Sequence, residues 1–174
     1  MDKATLRRIG ANRAAYERLK SDSSYTDVRF SEATGGLMAI HREHCFDPTI
    51  GKFGIPRGDY ERIAAETLYE YGHSVILESE KNSALGVKTP EGLLDGVWFD
   101  IKGIEGIGKR NIIDKISSAS RQKVEALVLY YHDINTFDEQ HLIKAYHGYL
   151  KLSKNRAVQT VYCIVKRKLH KIMA

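Results

Sequence analysis

A chain of 174 residues, 43% hydrophobic and 28% charged, is long enough for one domain with its own core and too apolar for wholesale disorder. No run approaches the ~20 consecutive apolar residues of a membrane span, and the opening MDKATLRRIGANRAAYERLK lacks the apolar stretch of a secretory signal. The net charge of +5 and pI near 9.1 favour a polyanionic partner.

Residues 4–20, rich in Ala, Leu and Arg, read as a helix with a basic face, broken by Ser21-Asp22-Ser23-Ser24. An irregular region follows, in which residues 36–40 (GLMAI) read as a short strand and residues 51–58, with Pro56, as a loop. From Gly58 the pattern sharpens. Asp59 reads as an N-cap, followed by the helix YERIAAETLYEY and the stop Gly72. Residues 73–77 (HSVIL) form a strand by their β-branched centre. After a polar loop come strands around 91–94 and 97–104, joined by the hairpin dipeptide Asp95-Gly96, whose residues both tolerate positive φ. A glycine-rich connection leads to the helix NIIDKISSASRQK, then to an all-apolar central strand at 126–131, a helix near 139–149 and a last strand at 158–165. The expected fold is α/β, a central mixed sheet flanked by helices. Residues 1–57 are expected to form a helix and an irregular extension packed on a core of residues 58–174, in a single compact domain.

Strand parity carries the chemistry. Along residues 97–102, Val97, Phe99 and Ile101 take one face, and Trp98, Asp100 and Lys102 take the other. The first set is a core face; the second sets a carboxylate beside an ammonium. Closing the hairpin on Asp95-Gly96 brings Leu94 opposite Val97, Leu93 opposite Trp98 and Glu91 opposite Asp100. Opposed residues have Cβ atoms about 5 Å apart, so two carboxylates there repel unless a cation lies between them. Mg²⁺, which takes one or two carboxylates plus water and phosphate, suits the place.

A third acid, Glu61, shares a helical stripe with Ala65, Leu68 and Gly72, at spacings of four, three and four, and so leans toward the packed side. A carboxylate there needs a metal or a lysine as partner. Plainer readings exist for each residue. Asp100 and Lys102 also suit a solvated charge pair, Glu91 a strand-entry residue and Glu61 an acid favoured by the helix dipole. Glu78 or Glu80 would be the extra ligand among the remaining glutamates.

The series Gly58-Asp59-Tyr60-Glu61-Arg62, Gly72-His73-Ser74-Val75, Thr89-Pro90-Glu91 and Asp100-Ile101-Lys102 resembles the PD-(D/E)XK nuclease superfamily. It is closest to the C-terminal nuclease toxin domains of contact-dependent inhibition systems, several of which cut tRNA. The resemblance spans roughly residues 58–131 and implies a restriction-endonuclease-like core. Carried over by position, it makes Glu61, Glu91, Asp100 and Lys102 the catalytic set, with Glu61, Glu91 and Asp100 as metal ligands for Mg²⁺ or Mn²⁺. Gln122 resembles a glutamine that many members place near the site, although an exposed helix-end residue reads equally well. The family's first acid is usually Asp, whereas Pro90 is followed here by Glu91; Asp95 is the rival, though as a hairpin residue it also reads as a turn former. The implied activity is hydrolysis of phosphodiester bonds in nucleic acid, RNA before DNA, with a toxin-like role and an immunity protein as partner. The alternatives are a DNA endonuclease of the same fold and a non-catalytic nucleic-acid-binding domain on that scaffold. The expected location is the cytoplasm, including that of a target cell after delivery, or after release from a larger precursor.

Other motifs carry less. His41-Arg42-Glu43-His44-Cys45 has ligand residue types, but its spacing suits no common zinc pattern and one loop supplies too few ligands. Cys45 and Cys163 suggest neither a metal pair nor a disulfide framework. Residues 103–108 lack the Gly-Lys-Ser/Thr ending of a phosphate loop. Lys109 and Arg110 beside them, with Arg121, are candidate phosphate contacts. The basic tail, residues 166–171, reads as a solvated end or a nucleic-acid backbone contact.

Overall fold

The computed structural model describes residues 1–80, 89–154 and 156–173. Eight strands form one sheet whose spatial order follows the chain: β1 (Tyr25–Phe30), β2 (Leu37–His41), β3 (Ser74–Leu77), β4 (Gly92–Leu94), β5 (Val97–Ile104), β6 (Ala126–Tyr131), β7 (Thr160–Val165) and β8 (Lys168–Met173). Parallel pairing joins β2 to β3, β5 to β6 and β6 to β7; the other neighbours are antiparallel. The helices are α1 (Lys3–Lys20), α2 (Arg57–Glu70), α3 (Lys109–Arg121) and α4 (Glu139–Leu152). The fold is thus the expected α/β arrangement, a mixed sheet flanked by helices.

Alternation along the strands decides what each face meets. Met38, Ile40, Val75, Leu77, Phe99 and Ile101 point to one side, where Tyr60, Ala64, Ala65 and Leu68 of α2 cover them. Leu37, Ala39 and Ile76 point to the other side, under Leu19 of α1. Further along that second face, Leu127, Leu129, Val161 and Cys163 lie under α3 and α4. All six residues of β6 are buried, as a strand covered on both faces requires. Burying each large apolar side chain contributes roughly 1.5–3 kcal/mol before ordering costs.

Several local expectations are corrected. Residues 1–57 supply, besides the expected helix and the short strand expected at residues 36–40 (β2), a second strand of the sheet, β1. β1 escapes a parity reading because its ladder shifts between Thr26 and Arg29, where Asp27 sits at φ 50°. The basic tail is β8, an edge strand reached through a turn at Lys166-Arg167 with φ of 45° and 63°. Lys-Arg is a poor match to the Asn-Gly chemistry of such turns, which hid the hairpin. Asp59 is no N-cap: α2 starts at Arg57, after Pro56 with φ −57°. The N–H groups of Arg57 and Gly58 are taken by the Thr49 and Asp47 carbonyls, so the preceding loop replaces a capping side chain. Of the polar loop expected after β3, residues 81–88 lie outside the described residues.

The hairpin forms on Asp95-Gly96, with φ of 50° and 87°. Its ladder is the one a two-residue turn dictates: Leu94 with Val97, Leu93 with Trp98, Gly92 with Phe99. β4 then stops after three residues, while β5 continues to Ile104. Past Glu91, whose N–H donates to the Phe99 carbonyl at 3.0 Å, no described residue pairs with the β4-side edge of β5. Among the described residues that leaves a notch in the sheet beside Asp100. Gly92 sets its position, because a Cβ there would lie 1.9 Å from the Ile76 carbonyl oxygen. Gly92→Ala is expected to lower stability by at least about 1–3 kcal/mol, as overpacking against backbone does, read as a reduced urea midpoint with an unchanged slope.

Candidate functional site

The notch opens into a cleft of about 570 Å³, and all five residues expected to form the site line it. β5 contributes Asp100 and Lys102, α2 contributes Glu61, the residue before β4 is Glu91, and Gln122 caps the end of α3. Asp100 and Lys102 share the face of β5 that parity assigns them. Asp100 is 1% exposed; its Oδ1 accepts the Ile101 N–H at 2.9 Å, and Oδ2 lies 2.6 Å from Lys102 Nζ.

Glu61 and Glu91 sit in a different electrostatic position. Burial pushes both carboxyls well above the ordinary range, and neighbouring carboxylates push further: Glu80 and Asp47 on Glu61, Glu61 and Asp100 on Glu91. The Asp47 backbone N–H opposes this at Glu61 and the Lys102 ammonium at Glu91, each only in part. Glu61 Oε2, Glu91 Oε2 and Gln122 Oε1 are buried with no hydrogen-bond donor among the described residues. A buried acceptor without a donor costs about 1–3 kcal/mol, so an array of them is unfavourable unless a cation or a ligand completes it.

The structure adds His44, whose spacing within its own loop suits no common metal pattern. One loop alone does supply too few ligands, but the others come from far along the chain. Ligand atoms of His44, Glu61 and Glu91 all lie within 4.8 Å of one another, and His44 Nε2 is 3.8 Å from Glu91 Oε2. Two donors bonded to one ion at 2.0–2.2 Å stand at most about 4.4 Å apart, so sub-ångström closure would suit this group to a metal. Asp100 lies in the same cleft and is already engaged by Lys102.

Comparisons of the chain with family models, with curated proteins and with solved structures found no match. The site therefore rests on its own geometry.

Asp95, the rival first acid, is occupied elsewhere. Its carboxylate bonds the His73 ring nitrogen at 2.6 Å and accepts the Ser74 N–H at 2.9 Å, tying the hairpin turn to the start of β3. Glu91 is the acid that lines the cleft. Glu80 lines it too, whereas Glu78 accepts the Tyr25 hydroxyl. The candidate phosphate contacts Lys109, Arg110 and Arg121 are exposed on α3 and do not line this cleft; Lys109 lines a smaller hollow with His141 and Lys144. Among the described residues, Arg57 and Lys115 are the cationic side chains, besides Lys102, along the cleft.

The raised carboxyls make metal-free stability depend on pH. Folded Glu61 and Glu91 keep their protons above the unfolded value near 4.5, so their contribution is full below that value and is lost as pH rises through the folded values. The window from about pH 7 to about pH 9.5 lies above the titration of His44, whose pKa burial lowers. Across it the melting temperature of chelator-treated protein is expected to fall by roughly 5 °C, and by much less in Glu91→Gln, as read by calorimetry.

Proposed function

We propose that this chain is a divalent-metal-dependent nuclease that hydrolyses phosphodiester bonds in nucleic acid. The observation that carries the reading is the convergence of Glu61, Glu91, the Asp100–Lys102 ion pair and Gln122 on one cleft, with one buried oxygen each of Glu61, Glu91 and Gln122 lacking a donor among the described residues. A cleft rich in carboxylates repels a phosphodiester unless metal ions offset the charge, and the donor set of His44, Glu61 and Glu91 suits one. When bound, a metal ion supplies Lewis-acid stabilisation of phosphate charge and lowers the pKa of bound water.

The chain's own residues would divide the remaining work. Asp100, fixed through Oδ1 by the Ile101 N–H, orients the Lys102 ammonium through Oδ2. Lys102, 15% exposed at its side chain, donates hydrogen bonds to a non-bridging phosphate oxygen and offsets the charge that develops there. Gln122 Oε1, buried and without a donor among the described residues, accepts a hydrogen bond from the attacking water or from a ribose hydroxyl. Arg57, on the rim, attracts the backbone of the incoming strand, although its pairing with Glu105 at 3.0 Å tempers that pull.

The family resemblance extends the proposal to RNA in preference to DNA, to Mg²⁺ or Mn²⁺ as cofactor, and to a toxin-like role with an immunity protein as partner. The basic balance of the chain is in keeping with a nucleic-acid substrate.

Incubation with total tRNA and with plasmid DNA, with and without chelator, tests the reading. Metal-dependent cutting of tRNA is expected, reduced at least ~100-fold by Asp100→Asn or by Lys102→Ala in protein that still melts cooperatively. Undiminished cutting by both variants would overturn the assignment.

A further inference from the structure

We infer that His44 makes this a mixed nitrogen–oxygen metal centre, one that selects a first-row transition ion such as Mn²⁺ over Mg²⁺. The inference rests on the metal-binding part of the proposed function and not on its substrate.

The tautomer of the ring supplies the argument. His44 Nδ1 lies 2.9 Å from the Glu78 backbone carbonyl oxygen, an atom that can only accept. The Nδ1 position must then carry the hydrogen and donate it. In the neutral ring this leaves Nε2 with a bare lone pair. The side chain is 0% exposed, and Nε2 has no hydrogen-bond partner among the described residues. What Nε2 faces is Glu91 Oε2, 3.8 Å away and itself without a donor among the described residues. Glu61 Oε2, the third member of the group, is in the same condition. One lone pair and two carboxylate oxygens thus converge with no described donor between them.

A proton on Glu91 could bridge one pair of these atoms, but one hydrogen cannot serve all three. A metal ion accepts from all three together. The ring is also held as a ligand is usually held: the second nitrogen bonds a backbone carbonyl, and the edge of the ring packs on Phe46 with centroids 4.7 Å apart. That arrangement fixes both tautomer and direction before any ion binds.

Donor chemistry then sets the preference. Mg²⁺ favours oxygen ligands and retains its waters, so an imidazole adds little to its binding. Transition ions accept imidazole nitrogen readily, and their affinities for nitrogen-containing sites rise from Mn²⁺ toward Cu²⁺. The same cleft without His44 would be a carboxylate site that suits Mg²⁺; with it, the balance tips.

The test uses the full-length, metal-stripped protein without nucleic acid. Calorimetric titrations with MgCl₂ and with MnCl₂ should show Mn²⁺ bound at least ~10-fold more tightly, and in His44→Ala the two affinities should come within about threefold of each other. Electron paramagnetic resonance of the Mn²⁺-loaded wild-type protein should show coupling to a histidine ¹⁴N nucleus, a readout that does not depend on the variant folding. Equal affinities for the two ions in the wild type, or an absent nitrogen coupling, would overturn the inference. Either result leaves Mg²⁺-supported cleavage free to stand. Conversely, a chain that cuts nothing but shows Mn²⁺ preference and nitrogen coupling would sink the nuclease reading and keep the metal centre.

Discussion

A three-residue strand beside an eight-residue one is the constraint on which the site depends. Because β4 begins only at Gly92, no described residue pairs with that edge of β5 from Asp100 onward. Glu91 is held at the rim by its N–H on Phe99 and by its carbonyl, which accepts the Glu78 N–H. α2 lies over one face of the sheet and α3 over the other, so only at such a break can Glu61 and Gln122 address the same space. Gly92 lets β3 and β4 approach closely enough for this, since no side chain fits against the Ile76 carbonyl.

The electrostatics follow from that architecture. Each acid comes from an element held by an apolar core, so none can swing away from its neighbours cheaply. Phe99 and Ile101 anchor β5 on either side of Asp100, and Ala64, Ala65 and Leu68 anchor α2 behind Glu61. Packing thus holds like charges together, and burial plus mutual repulsion raise Glu61 and Glu91. Asp100 differs because Lys102, two residues along the same strand face, lies beside it. Of these three carboxylates, Asp100 is paired with Lys102, while one oxygen each of Glu61 and Glu91 lacks a donor among the described residues.

Much of this was legible in the linear chain because it rests on short-range rules. The Asp95-Gly96 turn sets the ladder of the hairpin, and period-two alternation then assigns Asp100 and Lys102 to one face. The hydrophobic stripe of α2 leans Glu61 inward. The edges of the sheet were hidden for equally local reasons: a bulge at Asp27 breaks the alternation of β1, and a Lys-Arg turn disguises the hairpin into β8. Asp95 could not be separated from Glu91 by residue type. Only its bonds to His73 and Ser74 show that it serves the turn.

By itself the sequence determined the hairpin, the parity of Asp100 and Lys102, and the α/β character of the fold, since each is decided by neighbours a few positions apart. The tertiary structure alone decided that His44 joins Glu61 and Glu91. Those residues are 17 and 47 positions from His44 along the chain, and no periodicity links a loop after β2 to a helix and a strand entry. Their meeting depends on β2 pairing with β3 and on α2 folding back over both, and a buried imidazole becomes a ligand only when distant acceptors are packed against it.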